Sequence, residues 1–286
     1  DNDKYIRNYW EVSATKICTK GKWPLVTMGG DFRKWYGNIV NVINWSDEAR
    51  QFYKDSKIAR IQHPSLWFRN GITWNLVSAS NGFRIQPSNA LFNKAAPTIL
   101  FDETDFKYIN NCLGFLNSKV AHELLILLNP TVNTNIKEVM SLPYKRGTNP
   151  LVDDIVSNCI TISSEDWNAH ETSWDFKTNE LIKAQDWCGG NVADLDMLSE
   201  EDRKDIEAEG PIPTNGELLT DCLQAYKNKW ERNFRRLHYN EEELNRQFIE
   251  IYGLQDELTP DVPMEEITIL QQGEISIEDN HIVWHD

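Results

Sequence analysis

The spacing of apolar residues changes character along this chain, and that change limits the folds open to it. Over roughly the first hundred positions, apolar runs are short and each is closed by turn-forming residues. Gly21-Lys22-Trp23-Pro24, Gly29-Gly30, Gly37-Asn38, Asn70-Gly71, Asn81-Gly82 and Pro87 are the punctuation. Short runs between such breaks predict strands and turns. One helix interrupts them: Ser46 is a cap, Asp47 and Glu48 suit its first turn, and the helix is expected to run to about Lys57. From Phe106 the spacing becomes helical, with Ile109, Leu113 and Leu116 on one stripe, and a second helix over 120–128 stops before Pro130.

The remainder is expected to be mainly helical. Residues 151–162 form one helix, and Ser163-Ser164-Glu165-Asp166 and Ser199-Glu200-Glu201-Asp202 have the form of helix starts, with Gly189-Gly190 as a break between them. Gly210-Pro211-Ile212-Pro213 marks a linker. After it, Leu223, Tyr226, Trp230, Phe234 and Leu237 make one apolar stripe, opposite Lys229, Arg232, Arg235 and Arg236. Asn240-Glu241-Glu242-Glu243 is expected to cap a further helix, with Leu244, Phe248 and Ile251 inward and Gly253 as its stop. A hairpin around Asp279-Asn280 closes the chain. The expected fold class is α+β: a mixed α/β domain over residues 1–145, then a mainly helical module over 146–286 with the short C-terminal hairpin.

Charge divides the chain near the same place. The 286 residues carry a formal net charge of −15, which taken whole argues against a nucleic-acid binder. Residues 1–150 hold 19 basic and 12 acidic side chains, a net of +7, whereas residues 151–286 hold 10 basic and 32 acidic, a net of −22. A split this large predicts two different kinds of surface. The five cysteines never form a C-x-x-C pair and fit a reducing compartment; no apolar run approaches a membrane span. A cytoplasmic location without membrane contact is expected. The first residues, Asp1-Asn2-Asp3-Lys4, lack both Met and an apolar leader, which suggests a piece of a longer chain.

Catalytic patterns are missing. There is no G-x-G-x-x-G, no phosphate-binding G-x-x-x-x-G-K-[ST], no G-x-S-x-G and no H-E-x-x-H. The acidic run from Glu200 to Glu209 reads as a solvated helix face, and the His281/His285 pair as fortuitous. No catalytic residue and no metal site are assigned. The basic half is more informative, because its cations interleave with tryptophans and with polar turn residues. Lys20, Lys22, Arg33, Lys34, Arg69, Asn70, Thr73, Asn81 and Arg84 are the candidate DNA-binding residues. Lysine and arginine grip phosphate, while Asn, Arg and Thr also read base edges. Lys16, Arg50, Lys54, Lys57 and Arg60 lie beside them in sequence. The competing reading places the tryptophans in the core and leaves the cations as ordinary surface.

Several phrases resemble one known family. Gly29-Gly30-Asp31-Phe32-Arg33-Lys34-Trp35-Tyr36-Gly37-Asn38 with Val42-Ile43-Asn44-Trp45, then Phe68-Arg69-Asn70-Gly71-Ile72-Thr73-Trp74, are similar to the specificity region of the PglX family. These are the adenine-specific DNA methyltransferases of BREX phage-defence systems. Leu116-Asn117-Ser118-Lys119 and Leu128-Asn129-Pro130-Thr131 resemble a pattern shared with other target-recognition domains. Glu243-Leu244-Asn245-Arg246 and Ile251-Tyr252-Gly253-Leu254 resemble the helical segment that follows. The resemblance implies a DNA sequence-recognition region whose partners are double-stranded DNA, the parent methyltransferase catalytic domain and other phage-defence subunits. It implies S-adenosylmethionine as cofactor of that catalytic domain and none for this chain, since the Asn-Pro-Pro-Tyr-type motif and the Gly-bearing cofactor loop have no counterpart here. The alternative is a protein-interaction scaffold whose acidic helical half docks a partner subunit.

Overall fold

The structure, a computed structural model, describes residues 2–59, 61–78, 80–187, 218–270 and 273–285. The expected break at Gly189-Gly190, the helix start at 199–202 with its acidic run, and the linker at 210–213 lie outside these residues, as do Arg60 and Cys188. The fold is α+β with a helical C-terminal region. It divides into two compact units: residues 1–153 with 172–174, and residues 154–171 with 175–286.

The first unit begins with a helical turn, α1 (Asn2–Tyr5), and continues through β1 (Ile6–Asn8), β2 (Leu25–Thr27), β3 (Asn41–Ile43), α2 (Asp47–Asp55), β4 (Gly71–Trp74), β5 (Phe83–Gln86), β6 (Ala90–Phe92) and β7 (Thr98–Leu100). Helices α3 (Ile109–Asn117), α4 (Lys119–Leu128) and α5 (Ile136–Met140) follow. The strands form two small sheets. One has the order β1-β3-β2-β6 with β6 parallel to β2; the other has the antiparallel order β5-β4-β7. Strands β2 and β4 are buried at every position, so both faces of each are covered and neither alternates. Polar side chains join the sheets: the Thr27 hydroxyl donates to Gln86 Oε1 and, at 2.9 Å, to the Leu91 carbonyl. Gly71 allows β4 and β7 to close up, because a Cβ there would run into the Ile99 carbonyl oxygen.

Local chemistry explains the helices. Ser46 caps α2 by accepting the Ala49 N–H at 3.3 Å, as its position predicted. Ser118 ends α3 and caps α4, accepting the Ala121 N–H at 3.4 Å. Asn117, at the end of α3, completes the edge of β5. Its amide accepts the Phe83 N–H and donates to the Phe83 carbonyl, both at 2.9 Å, as a neighbouring strand would.

The second unit holds most of α6 (Pro150–Asn168), α7 (Glu180–Trp187), the 34-residue α8 (Leu219–Tyr252) and the hairpin β8 (Ile275–Glu278)–β9 (His281–Trp284). Three expectations are corrected here. Ser163–Asp166 starts no helix; it lies inside α6, where the Ser164 hydroxyl donates to the Thr161 carbonyl at 2.9 Å. Asn240 caps nothing, because α8 runs through it unbroken and its buried amide donates to Asn158 Oδ1 at 2.7 Å. Ile251 is exposed, and Ile249 is the inward residue of that turn. The C-terminal stop is as expected: Gly253 adopts φ +70°, and the Leu254 N–H reaches the Ile249 carbonyl at 2.9 Å. The chain then returns along α8, held by helix side chains. Asn245 donates to the Pro260 carbonyl at 2.9 Å, and His238 Nε2 lies 2.7 Å from the Val262 carbonyl. Asp279 and Asn280 both take positive φ, the turn a tight hairpin needs.

Candidate nucleic-acid interface

The nine candidate residues separate by burial. Four are withdrawn into the protein, which corrects the expectation that they face a ligand. Arg84 and Thr73 are fully buried, and Arg33 and Lys34 are only 7% and 6% exposed. The Thr73 hydroxyl donates to the Pro97 carbonyl at 3.0 Å, tying β4 to the chain before β7. Arg84 donates to Asn75 Oδ1 at 2.8 Å, and Asn75 in turn donates to the carbonyls of Gly30 (2.8 Å) and Asp31 (3.2 Å). Asn38 adds a bond to the Asp31 carbonyl at 2.8 Å. The Gly29–Asn38 phrase is therefore architecture, a loop clamped from within. Desolvation and nearby Arg33 push the Arg84 guanidinium down to about 10, so it is still charged at neutral pH. Its Nε and Nη1 have no hydrogen-bond partner among the described residues. Trp35 sits against this residue, fully buried at φ +67°, a strained conformation for a bulky side chain.

Three candidates are half-buried, Arg69 and Asn81 with their side chains engaged and Asn70 through its backbone carbonyl. Arg69 pairs with Asp102 and donates to the Phe101 carbonyl at 3.0 Å. The Asn70 carbonyl accepts the Phe101 N–H at 3.3 Å, and Asn81 Oδ1 accepts the Thr134 hydroxyl. All three fasten turns to neighbouring strands and loops.

Lys20 and Lys22 are exposed, on a loop over residues 14–23 that its own backbone stiffens. Gly21 N–H bonds to the Cys18 carbonyl at 2.9 Å, Trp23 N–H to the Lys16 carbonyl at 3.3 Å, and Trp45 N–H to the Lys22 carbonyl at 2.7 Å. The last bond brings the loop beside the start of α2. There the Glu48 carboxyl is lowered by its backbone hydrogen bond and by Ser46, with a smaller contribution from the charge of Lys22. Lys16 on the loop, and Lys54 and Lys57 at the far end of α2, are also exposed. Among the described residues, none of these five lysines makes an ion pair. The inner face of α2 is Ala49 and Tyr53, with Tyr5 stacked on Phe52 at 4.8 Å and the Tyr53 hydroxyl on the Asn44 carbonyl at 2.7 Å. Trp35 and Trp74 are core, as the competing reading held; Trp10 is half exposed.

Most of the candidate residues thus build the frame, while Lys16, Lys54 and Lys57, beside them in sequence, reach solvent. Two signals could have separated them. Gly71-Ile72-Thr73-Trp74 has no polar alternation, so Thr73 had no solvent face to occupy. Lys54 is offset from Ala49 and Tyr53 on the helix, whereas Lys57 shares their i, i+4, i+8 spacing and is exposed because α2 ends before it, at Asp55.

The glycine pair and the Asn-Pro steps are engaged within the protein. Gly29 and Gly30 pack on the protein itself: a Cβ at Gly30 would lie 2.8 Å from the Asn38 amide, and one at Gly29 3.3 Å from the Ala95 carbonyl. The two Asn-Pro steps are likewise occupied. Asn129 accepts the Thr131 N–H and hydroxyl at 3.2 and 2.8 Å, and Asn149 accepts the Leu151 N–H at 3.1 Å at the head of α6. Among the described residues no group of three or more His, Cys, Asp or Glu could hold a metal ion, and no helix is long and apolar enough to cross a membrane.

No protein-family model matches the chain. It is 33% identical to the adenine-specific methyltransferase PglX of Lacticaseibacillus casei (strain Zhang), over 94% of this chain and 22% of that protein. It is 31% identical to the adenine-specific methyltransferase BrxX of Escherichia coli O9:H4 (strain HS), over 67% of this chain and 16% of that protein. The chain spans about a fifth of the length of these curated relatives. By these identities it is a homologue of the PglX and BrxX adenine-specific methyltransferases, matching one segment of each.

Proposed function

We propose that this chain is the DNA sequence-recognition region of a site-specific adenine methyltransferase of the BREX phage-defence type. It holds duplex DNA while a separate catalytic domain, which takes S-adenosylmethionine, transfers the methyl group. The observation that supports this reading is the group of exposed lysines without ion pairs among the described residues, Lys16, Lys20, Lys22, Lys54 and Lys57, in a unit that buries Trp35, Trp74 and Phe83. Surface lysines without carboxylate partners are free to displace the counterions of a phosphate backbone. The methyl acceptor of an adenine methyltransferase is an amine on the major-groove edge that must leave the base stack for reaction. A second domain is then needed to keep the duplex in register. In this chain the lysines set register, and residues on the same surface read the bases.

A salt titration of duplex binding by the full chain tests the reading. With five phosphate contacts, the slope of log K against log salt is expected near −4 to −5, at roughly −0.9 per contact. Absence of binding at low salt, or a slope near zero, would refute it. The scaffold alternative draws on exposed Ile182, Leu218 and Leu219 in the acidic unit, and gains if that unit captures a subunit while the chain leaves DNA unbound.

A further inference from the structure

We propose that Ile58 is an apolar base contact, held in a DNA groove by lysines that grip the phosphates beside it. This rests on the DNA-recognition reading above and adds a residue that discriminates sequence. Ile58 is 94% exposed, more than any other large apolar side chain among the described residues. A solitary exposed aliphatic is common and alone carries no meaning. Its setting does. Helix α2 ends at Asp55, and Ser56 Oγ then accepts the N–H of Ile58 at 3.2 Å and of Ala59 at 3.0 Å. The side chain therefore projects from a defined turn. The helix below is fastened by Tyr53 and Phe52 to Asn44 and Tyr5.

Charge supplies the partner. Lys54 precedes the turn and Lys57 lies in it, both exposed and without ion pairs among the described residues. The nearest carboxylate in the chain, Asp55, is turned back to the Gln51 amide at 3.0 and 2.9 Å. An aliphatic tip beside unpaired lysines matches a ligand with anionic rails and an apolar interior. A duplex groove is such a ligand, because thymine methyl groups and base edges lie between two rows of phosphates. On the neighbouring loop, Lys22 acts on Glu48 in the first turn of this helix, which is on the order of 13 Å long over its nine residues, so the phosphate contacts extend past the tip.

The test uses the full chain, a randomised duplex pool, and the variants Ile58→Ser and Lys57→Gln. Because Ile58 is almost wholly exposed, Ile58→Ser should leave the melting temperature unchanged. It should weaken binding to the selected duplex about tenfold, the lower end of what burying one isoleucine is worth, with the salt slope intact. Binding to a scrambled duplex should barely move. Lys57→Gln should weaken both duplexes alike and reduce the salt slope by about one. Salt-dependent binding with undiminished selectivity in Ile58→Ser overturns the Ile58 assignment and leaves the DNA reading standing. So does an equal loss on both duplexes, or a pool that yields no preferred sequence. No salt-dependent binding by the wild type, or binding to phosphatidylserine vesicles in place of duplex, overturns both.

Discussion

The two units of this molecule treat their cations in opposite ways. On α8 three cations are committed to the carboxylates of the acidic unit. Arg235 lies 3.1 Å from Glu231, Lys229 lies 3.3 Å from Glu180, and Arg246 lies 3.0 and 3.3 Å from Glu243 and Glu242. In the first unit the described arginines Arg50, Arg69 and Arg146 pair with Asp47, Asp102 and Asp105, but Lys16, Lys20, Lys22, Lys54 and Lys57 face solvent with no such partner. Net charge therefore describes the molecule less well than partnering does. The basic stripe of α8 looks as favourable for phosphate as the loop and helix of the first unit, yet Lys229 and Arg235 on it are already paired with carboxylates.

The sharpest way to break this contrast is at its most buried point. Glu231→Ala leaves Arg235 in the interior of the second unit without its carboxylate, and both residues are almost fully enclosed. A loss of about 3 kcal/mol in urea unfolding is expected; a loss below about 1 kcal/mol would show that the pair is incidental. Changing Lys16, Lys20, Lys22, Lys54 and Lys57 together to Gln should leave the fold within about 0.5 kcal/mol of the wild type. Duplex affinity at low salt should drop on the order of a hundredfold. If affinity survives, the exposed lysines are bystanders.

A smaller effect concerns the hairpin. The His170 imidazole lies 3.3 Å from Glu274, which also accepts the Tyr226 hydroxyl at 2.7 Å. Its bond to Glu274 raises the His170 pKa above 6.5, and the bonds from His170 and Tyr226 bring Glu274 below 4.5 against the opposing pull of burial. The His170 contribution is complete below 6.5 and fades as pH rises through its raised value. The Glu274 contribution is complete above 4.5 and fades as pH falls through its lowered value. Thermal stability should thus include a contribution of less than about 1 kcal/mol between these limits that Glu274→Gln abolishes. A variant with an unchanged pH profile would contradict it. Smallest of all, Arg246→Ala on the exposed edge of α8 should cost at most about 0.5 kcal/mol.

What could be read in the sequence follows from the range of the forces involved. Ser46 at the head of α2, Gly253 at the end of α8 and Asp279-Asn280 in the hairpin act on their own neighbours, and all three were legible. Asn240 looked like a cap because Asn followed by glutamates is a local signal. Its partner Asn158 lies 82 positions earlier, and that tertiary bond, with Leu237 and Leu244 buried on either side, carried the helix through. Thr73 and Arg84 misled for the same reason: their residue types suit DNA, but two-sided burial of the sheet gave them other partners. The phrases that resemble the methyltransferase family pointed to the right relatives, although Asn117 and the Gly29–Asn38 loop serve the frame.

The central claim, that DNA lies on the lysine surface of the first unit and leaves the acidic unit alone, is tested most directly by hydrogen–deuterium exchange of the full chain with and without duplex. The account predicts slowed exchange over residues 14–23 and 47–59 and no change along α8. Protection along α8, or none over the loop and α2 with the duplex bound, would contradict it.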